Sequence, residues 1–251
     1  MKARIDGLVS VIMPAYNAEL YISTSIESVL SQKYQNIELI IVDDCSTDST
    51  RSILMGYKNK VKVILLDRNV GVAEARNVGI DYSNGQYISF LDSDDVWLPE
   101  KIQKQLDLLR SVGGFCSHTS YIRFSDSKDS TNIVVAKPKV TFSDMLKGNQ
   151  IGNLTGLYDA SYLGVFKQKK IGHEDYLMWL SILKNTDSFG VEKPLAMYRV
   201  REGSVSSNKI KAIQWQFKIL KTELKQNSIA SLYYLSIYIC KSVLKRCRFF
   251  G

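Results

Sequence analysis

Apolar runs and amphipathic stretches alternate along the first half of the chain. Residues 8–13 (LVSVIM), 37–42 (IELIIV), 61–66 (VKVILL) and 86–91 (QYISFL) are short apolar runs of strand length, each bounded by polar or turn residues. Between them, 23–32, 48–57 and 72–82 carry apolar residues at helical spacing. The stretch 99–112 follows, with Ile102, Leu106 and Leu109 on one face. Ser46 and Asp48 are candidate caps for the helix at 48–57. Apolar strands alternating with helices predict βαβ units and a parallel sheet covered on both faces. Ligands of such sheets bind beyond the carboxyl ends of the strands. Polar clusters follow the first, second and fourth predicted strands, which places them at that edge.

Past Gly113 the pattern loosens. Residues 115–140 are mixed and polar, 141–146 read as a short helix, 149–158 as a loop, 174–183 (EDYLMWLSIL) as a strong helix and 194–200 as a strand. Two helices are expected at the end, over 210–225 and 228–248. In the second, Ser231, Tyr234, Tyr238, Lys241, Lys245 and Arg248 recur every three or four residues, while Leu232, Leu235, Ile239 and Val243 fill the remainder. The apolar stretch 229–240 is shorter than the ~20 residues that span a bilayer. It suits a helix lying in a membrane interface, the alternative being a helix packed on the protein's own core.

Charge sharpens that picture. The 251 residues carry 33 basic and 25 acidic groups, a formal charge of +8. Nine basic residues and only Glu223 fall in 205–251, so the tail holds the entire excess and the body is neutral. Nucleic-acid binders usually spread a basic face over the folded domain. A neutral body with a basic, apolar tail points to an anionic membrane surface instead. A length of 251 residues can bury a proper core, and 45% hydrophobic with 23% charged residues is ordinary globular composition. The four cysteines, Cys45, Cys116, Cys240 and Cys247, have no CxxC spacing, which fits a reducing compartment. The apolar run after Met1 is short, contains Pro14 and lacks an A-x-A cleavage site, so a signal peptide is not expected.

The candidate chemistry lies in acidic clusters. Asp92-Ser93-Asp94-Asp95 directly follows an apolar strand. Two carboxylates two residues apart suit a hard divalent cation, Mg²⁺ or Mn²⁺, which commonly also holds substrate phosphates. The bland alternative is a solvated acidic turn. Asp43-Asp44 ends the second strand, where a dinucleotide-binding fold holds a ribose. That fold needs G-x-G-x-x-G after strand 1, and here Pro14-Ala15-Tyr16-Asn17 stands instead. NAD is therefore disfavoured, while a nucleotide base or ribose remains open. Arg76 sits on the helix after the third strand, near both acidic clusters. Glu174-Asp175 opens a helix, where carboxylates are often simple dipole partners or, with a raised pKa, general bases. His118 and His173 have no HxxxH or triad context, so zinc hydrolysis and serine-triad chemistry have no support.

Taken in order, VSVIMPAYNAE, IELIIVDDCSTDST, NVGVAEARNVGI, GQYISFLDSDD and HEDYLMWL resemble the family 2 glycosyltransferases of the GT-A fold, over roughly residues 8–206. The resemblance implies an α/β fold: a Rossmann-like, mostly parallel central sheet flanked by helices, followed by a helical tail. It divides the chain into a glycosyltransferase domain at 1–204 and a basic, membrane-associating tail at 205–251. Within the domain, about 1–100 would bind the nucleotide and about 101–204 the acceptor. It implies an inverting transfer from a UDP-sugar with Mn²⁺ or Mg²⁺. Pro14, Ala15, Tyr16, Asn17, Asp43, Asp44, Arg76, Asp92, Ser93, Asp95, Arg199 and Arg201 would contact the nucleotide-sugar. Asp92 and Asp94 would hold the metal, Asp94 more directly, with Asp95 facing the sugar and Asp175 acting as general base. Two positions depart from the family pattern. Cys45 stands where glycine is usual, and Arg201 in Tyr198-Arg199-Val200-Arg201-Glu202-Gly203-Ser204 stands at the family's histidine. Arginine pairs with a diphosphate but does not ligate a metal as imidazole does.

The compact size and basic tail resemble bacterial enzymes that build O-antigen or capsule repeat units on a polyprenyl diphosphate. The expected reaction moves glucose or galactose to an N-acetylhexosamine on that lipid, in β linkage. The expected place is the cytoplasmic face of the inner membrane, peripherally bound. Two other readings stand beside it. ISFLDSDDV fits the h-D-x-D-x-[TV] pattern of haloacid-dehalogenase-like phosphatases, with Asp92 as nucleophile, although Glu174-Asp175 opens a helix where that family needs acids at a strand end. A catalytically silent membrane scaffold is the non-enzymatic reading.

Overall fold

The structure is a computed structural model that describes residues 3–126, 128–200 and 209–247. Its centre is β1 (Ile5–Ala15), buried continuously from Val9 to Ala15. Parallel partners flank it, β2 (Ile37–Asp43) on one side and β4 (Gly85–Phe90) on the other. The edge strand β3 (Lys62–Leu65) lies parallel to β2. Side chains of β1 alternate between two cores, as the strand period of two requires. Val9, Val11 and Met13 pack with α1 (Ile22–Leu30) and with α4 (Lys101–Val112) through Ile102, Leu106 and Leu109. Ile12 points the other way, to α3 (Val72–Tyr82) and to α7 (Glu174–Leu183). α2 (Thr50–Tyr57) adds Leu54 to the first core, and Asp48 accepts a hydrogen bond from the Thr50 N–H at its start.

The second half of the sheet is mixed. Among the described residues the strands form one ten-stranded sheet, ordered β3-β2-β1-β4-β9-β6-β10-β5, with β7 on β6 and β8 on β10. The weakly patterned stretch after Gly113 holds β6 (Cys116–Ser125), β7 (Lys128–Val134) and β8 (Lys139–Val140). β9 (Leu157–Asp159) overlaps the end of the expected 149–158 loop and bridges β4 and β6, antiparallel to both. β10 (Ser188–Arg199) starts six residues before the predicted strand, runs parallel to β6, and pairs antiparallel with β5 (Val96–Trp97). Two short helices, α5 (Phe142–Leu146) and α6 (Ala160–Leu163), flank this half. α5 opens on a capping box between Thr141 and Asp144.

The tail is docked on the domain. α8 (Lys209–Lys218) leads through a π-helical turn (Ile219–Glu223) to α9 (Ser228–Cys247). Ile219 and Leu220 are fully buried in the α7 core, and Gln216 donates to the Tyr176 hydroxyl at 3.0 Å. On α9 the polar stripe faces inward. Ser231 is buried, Tyr234 packs on the α7 core and Tyr238 lies over Gly148. Ile229, Leu232, Tyr233 and Ile239 face outward, Ile229 at 82% exposure. The stripe that the sequence marks as polar is therefore the packed one, because tyrosines serve well as half-buried packing residues. No described helix is long and apolar enough to cross a membrane. Arg201, the expected boundary at 204, and the side chains of Lys241, Lys245 and Arg248 lie outside the described residues.

Leu220→Ala will test whether the tail belongs to the core. Truncation at a fully buried leucine is expected to cost about 2–5 kcal/mol. Urea unfolding of the full chain should show the drop in midpoint; a change within error would mean that the tail is energetically separate.

Candidate active site

The carboxyl ends of β1, β2 and β4 and the start of α3 enclose a cavity of about 430 Å³. Pro14 and Ala15 line it from β1 and Tyr16 from just beyond it, Asp44 from the end of β2, and Asp92, Ser93 and Asp94 from the turn after β4. Asn69, Gly71, Val72 and Ala75 close the α3 side. These four were not singled out from the sequence, although they lie in or beside the NVGVAEAR segment. Tyr16 stands half-exposed at the mouth.

The rim loops are cross-tied. Asn17 and Cys45 both adopt left-handed backbone, at φ 47° and 61°. That conformation favours glycine, which explains why a cysteine at position 45 is unusual in the pattern. Asn17 does not line the cavity. Its Oδ1 accepts from the Thr47 N–H at 2.9 Å, and its own N–H donates to Ser46 Oγ. Asp43 is fully buried beneath the rim, where one carboxylate oxygen accepts from Arg51 Nε at 2.6 Å and from the Ser46 N–H. Its other oxygen is buried without a hydrogen-bond partner. Asp44 lines the cavity, but its two oxygens accept from the Val70 and Gly71 N–H groups at 2.7 and 2.8 Å. It thereby fixes the loop that leads into α3.

The acidic turn rests on two arginines. Arg76, only 6% exposed, donates to Asp92 at 2.6 Å and to Gln168 Oε1 at 3.0 Å. Burial opposes its charge; Asp92, with Asp175 and Glu174 beyond, more than restores it. Asp95 lies behind the turn. It accepts from the Arg199 N–H at 2.9 Å, while its second oxygen is buried without a partner. Burial, then Asp92 and Asp94, push its carboxyl well above the usual range. Arg199 does not line the cavity. Its guanidinium donates to the Asp94 carbonyl and to Asp126, and lies over the rings of Tyr21 and Phe124.

Asp175 opens α7 and is partly buried, with Asn149 at 3.5 Å. Burial raises its pKa, with Arg76 as the main opposing charge. It does not line the cavity. Gln168, which the sequence reading missed, binds Arg76 and exchanges two hydrogen bonds with Asn77. Nothing in its local sequence marks it, because its role comes from tertiary placement. His118 is buried in β6 beside Ser188, and burial lowers it to about 4. His173 meets Trp215 edge-on.

The donor set suits a hard cation. Asp92 and Asp94 offer carboxylate oxygens at the cavity, and the described residues hold no group of three or more His, Cys, Asp and Glu arranged for a metal. Mg²⁺ and Mn²⁺ are commonly held in this way, by one or two carboxylates completed by water and substrate phosphates.

The architecture is the GT-A fold. The Staphylococcus aureus TarS 1–349 structure superposes with a TM-score of 0.71 at 21% identity, covering 92% of this chain and 70% of that one. A Pyrobaculum calidifontis mannosyltransferase, in complex with GDP-Man and Mn²⁺, gives 0.66 at 17% identity, covering 91% and 68%. The profile described as Glycosyl transferase family 2 matches residues 10–158, and the chain belongs to that family. An Escherichia coli UDP-Glc:alpha-D-GlcNAc-diphosphoundecaprenol beta-1,3-glucosyltransferase, WfgD, is 36% identical over 96% of this chain and 95% of its own. A putative teichuronic acid biosynthesis glycosyltransferase of Bacillus subtilis, TuaG, is 38% identical over 93% and 92%. The protein is thus a glycosyltransferase, and the phosphatase reading falls away.

Asp44→Asn will loosen the rim. An amide presents a donor to one of two N–H groups that the carboxylate now satisfies, at an expected cost of about 1–3 kcal/mol. Faster amide exchange at Val70 and Gly71, with a lower urea midpoint, is the expected result.

Proposed function

We propose that the protein transfers a hexose, glucose or galactose, from a UDP-sugar to an N-acetylhexosamine on a polyprenyl diphosphate. The transfer inverts the anomeric centre to a β linkage and is one step in building a bacterial O-antigen or capsule repeat unit. The observation that carries this reading is the placement of Asp92, Asp94 and Asp175. Two carboxylates border the cavity, and a third, with its pKa raised by burial, stands within electrostatic reach of Asp92. The near full-length similarity to WfgD supports the choice of donor and acceptor.

In this reading residues 1–100 hold the donor and 101–204 the acceptor. Pro14, Ala15 and Tyr16 border the nucleoside, and Asp43 and Asp44 shape its rim. Asp92 and Asp94 would hold Mn²⁺ or Mg²⁺, which when bound offsets charge on the departing diphosphate. Arg76 holds Asp92 in place through a direct ion pair. Asp175 takes the proton from the acceptor hydroxyl as its oxygen bonds to the anomeric carbon. The bond from that carbon to the diphosphate oxygen breaks in the same displacement, and UDP leaves.

The outward face of α9 supports peripheral binding to the cytoplasmic face of the inner membrane. Ile229, Leu232 and Tyr233 are spaced at i, i+3 and i+4 and are all exposed. Lipid would cover them, and the basic tail would meet anionic headgroups.

A donor panel tests the activity. UDP-glucose, UDP-galactose, UDP-GlcNAc, UDP-GalNAc and a GDP-sugar are offered with Mn²⁺ and GlcNAc- or GalNAc-diphospholipid acceptors. Transfer from UDP-glucose or UDP-galactose, abolished by chelator, is expected; transfer from the GDP-sugar alone would overturn the reading. Asp175→Asn should lower kcat by about 10²–10⁴-fold. A general base works only when ionised. The acid limb of kcat/KM should therefore lie above the ~3.9 of an ordinary aspartate, with activity lost as pH falls through that raised value. For the tail, Ile229→Ser, Leu232→Ser and Tyr233→Ser together should abolish flotation with phosphatidylglycerol-containing vesicles without changing the urea midpoint. Unchanged flotation would exclude this face as the membrane contact.

A further inference from the structure

The cavity is strongly unbalanced in charge. Among the described residues its lining holds three carboxylates, Asp44, Asp92 and Asp94, and no basic side chain. A nucleoside diphosphate brings further negative charge. The nearby arginines are committed: Arg51 to Asp43, and Arg76 to Asp92 and Gln168.

One cation does reach the rim. Lys170 lays its Cε and Nζ over Gly71, each 3.8 Å from the point a β-carbon would occupy there. Gly71 lines the cavity and precedes the first residue of α3. A lysine at the positive end of a helix, without a carboxylate in ion-pair distance among the described residues, is electrostatically unfavourable by itself. The neighbouring lysines of the same loop are paired, Lys167 with Asp81 at 2.8 Å and Lys169 with Glu223 at 2.7 Å.

The position of Lys170 is built rather than incidental. Two residues before it, Gln168 is buried and exchanges two hydrogen bonds with Asn77 on α3. Two residues after it, Gly172 has φ +98°, and a β-carbon there would fall 2.2 Å from the Trp215 ring. The lysine is thus carried to the α3 end of the cavity by anchors on both sides.

We propose that Lys170 binds the donor's diphosphate from the Gly71 edge of the cavity, at the start of α3. This rests on the nucleotide-sugar reading above. An ammonium–phosphate contact helps to hold the diphosphate and adds nothing to the binding of the nucleoside itself.

Calorimetry with UDP and with uridine, on the full chain with Mn²⁺, separates the two. Lys170→Ala should weaken UDP binding by about tenfold and leave uridine binding unchanged, while Lys170→Arg should retain most of the UDP affinity. Equal UDP affinity in wild type and Lys170→Ala would overturn the proposal. So would a parallel loss of UDP and uridine binding, which would mean that the substitution had disturbed the loop. Failure of the wild-type chain to bind UDP at all would overturn the donor reading itself, and this inference with it.

Discussion

A single guanidinium organises the site. Arg76 is nearly buried, and a charge taken out of water must be paired and hydrogen-bonded to be tolerated. Its partners are therefore held as firmly as it is. Asp92 on the turn after β4 takes one nitrogen and Gln168 on the loop before α7 takes another. One residue on α3 thereby ties the acidic turn to the segment that leads into Asp175. Removing it would leave Asp92 without its cation and Gln168 without its donor.

Arg199 plays the corresponding part behind the turn. Sequence resemblance assigns it to the nucleotide-sugar, yet its guanidinium is engaged by the Asp94 carbonyl, Asp126 and two aromatic rings. Its backbone N–H also holds Asp95. The acidic turn is thus gripped from two sides, by Arg76 through a side chain and by Arg199 through a carbonyl. A turn carrying three aspartates in four residues repels itself, and these grips offset that repulsion.

The parts legible in the sequence are those where burial is two-sided. β1, β2 and β4 are apolar along their length because both faces are covered, so their runs stand out. The DSDD turn at the cavity and the helix that opens at Glu174 were legible because carboxylates mark strand and helix ends. β6 and β7 were not legible. β6 is buried over its first five residues and only partly buried over the last five, with serines, threonine and histidine among the buried ones. β9 has three residues, too few for any period to show. Gln168 and Lys170 owe their roles to a loop whose course is set by Asn77 and Trp215, neither adjacent in sequence. The inward face of α9 was inverted because a tyrosine reads as polar in a pattern but packs as an aromatic.

The three-residue β9 has a consequence for how the chain is made. β4 ends at Phe90, and the strand that covers its free edge begins only at Leu157. A ribosome adding ~5–20 residues per second needs on the order of ten seconds to supply it. Throughout that interval β3-β2-β1-β4 can assemble from nearby segments, yet Ile88 and Phe90 lie on an unpaired edge. Such an edge is a template for another strand. The nascent chain therefore carries its greatest risk of mispairing just before the small strand arrives, and a chaperone shielding that edge would matter most in that window.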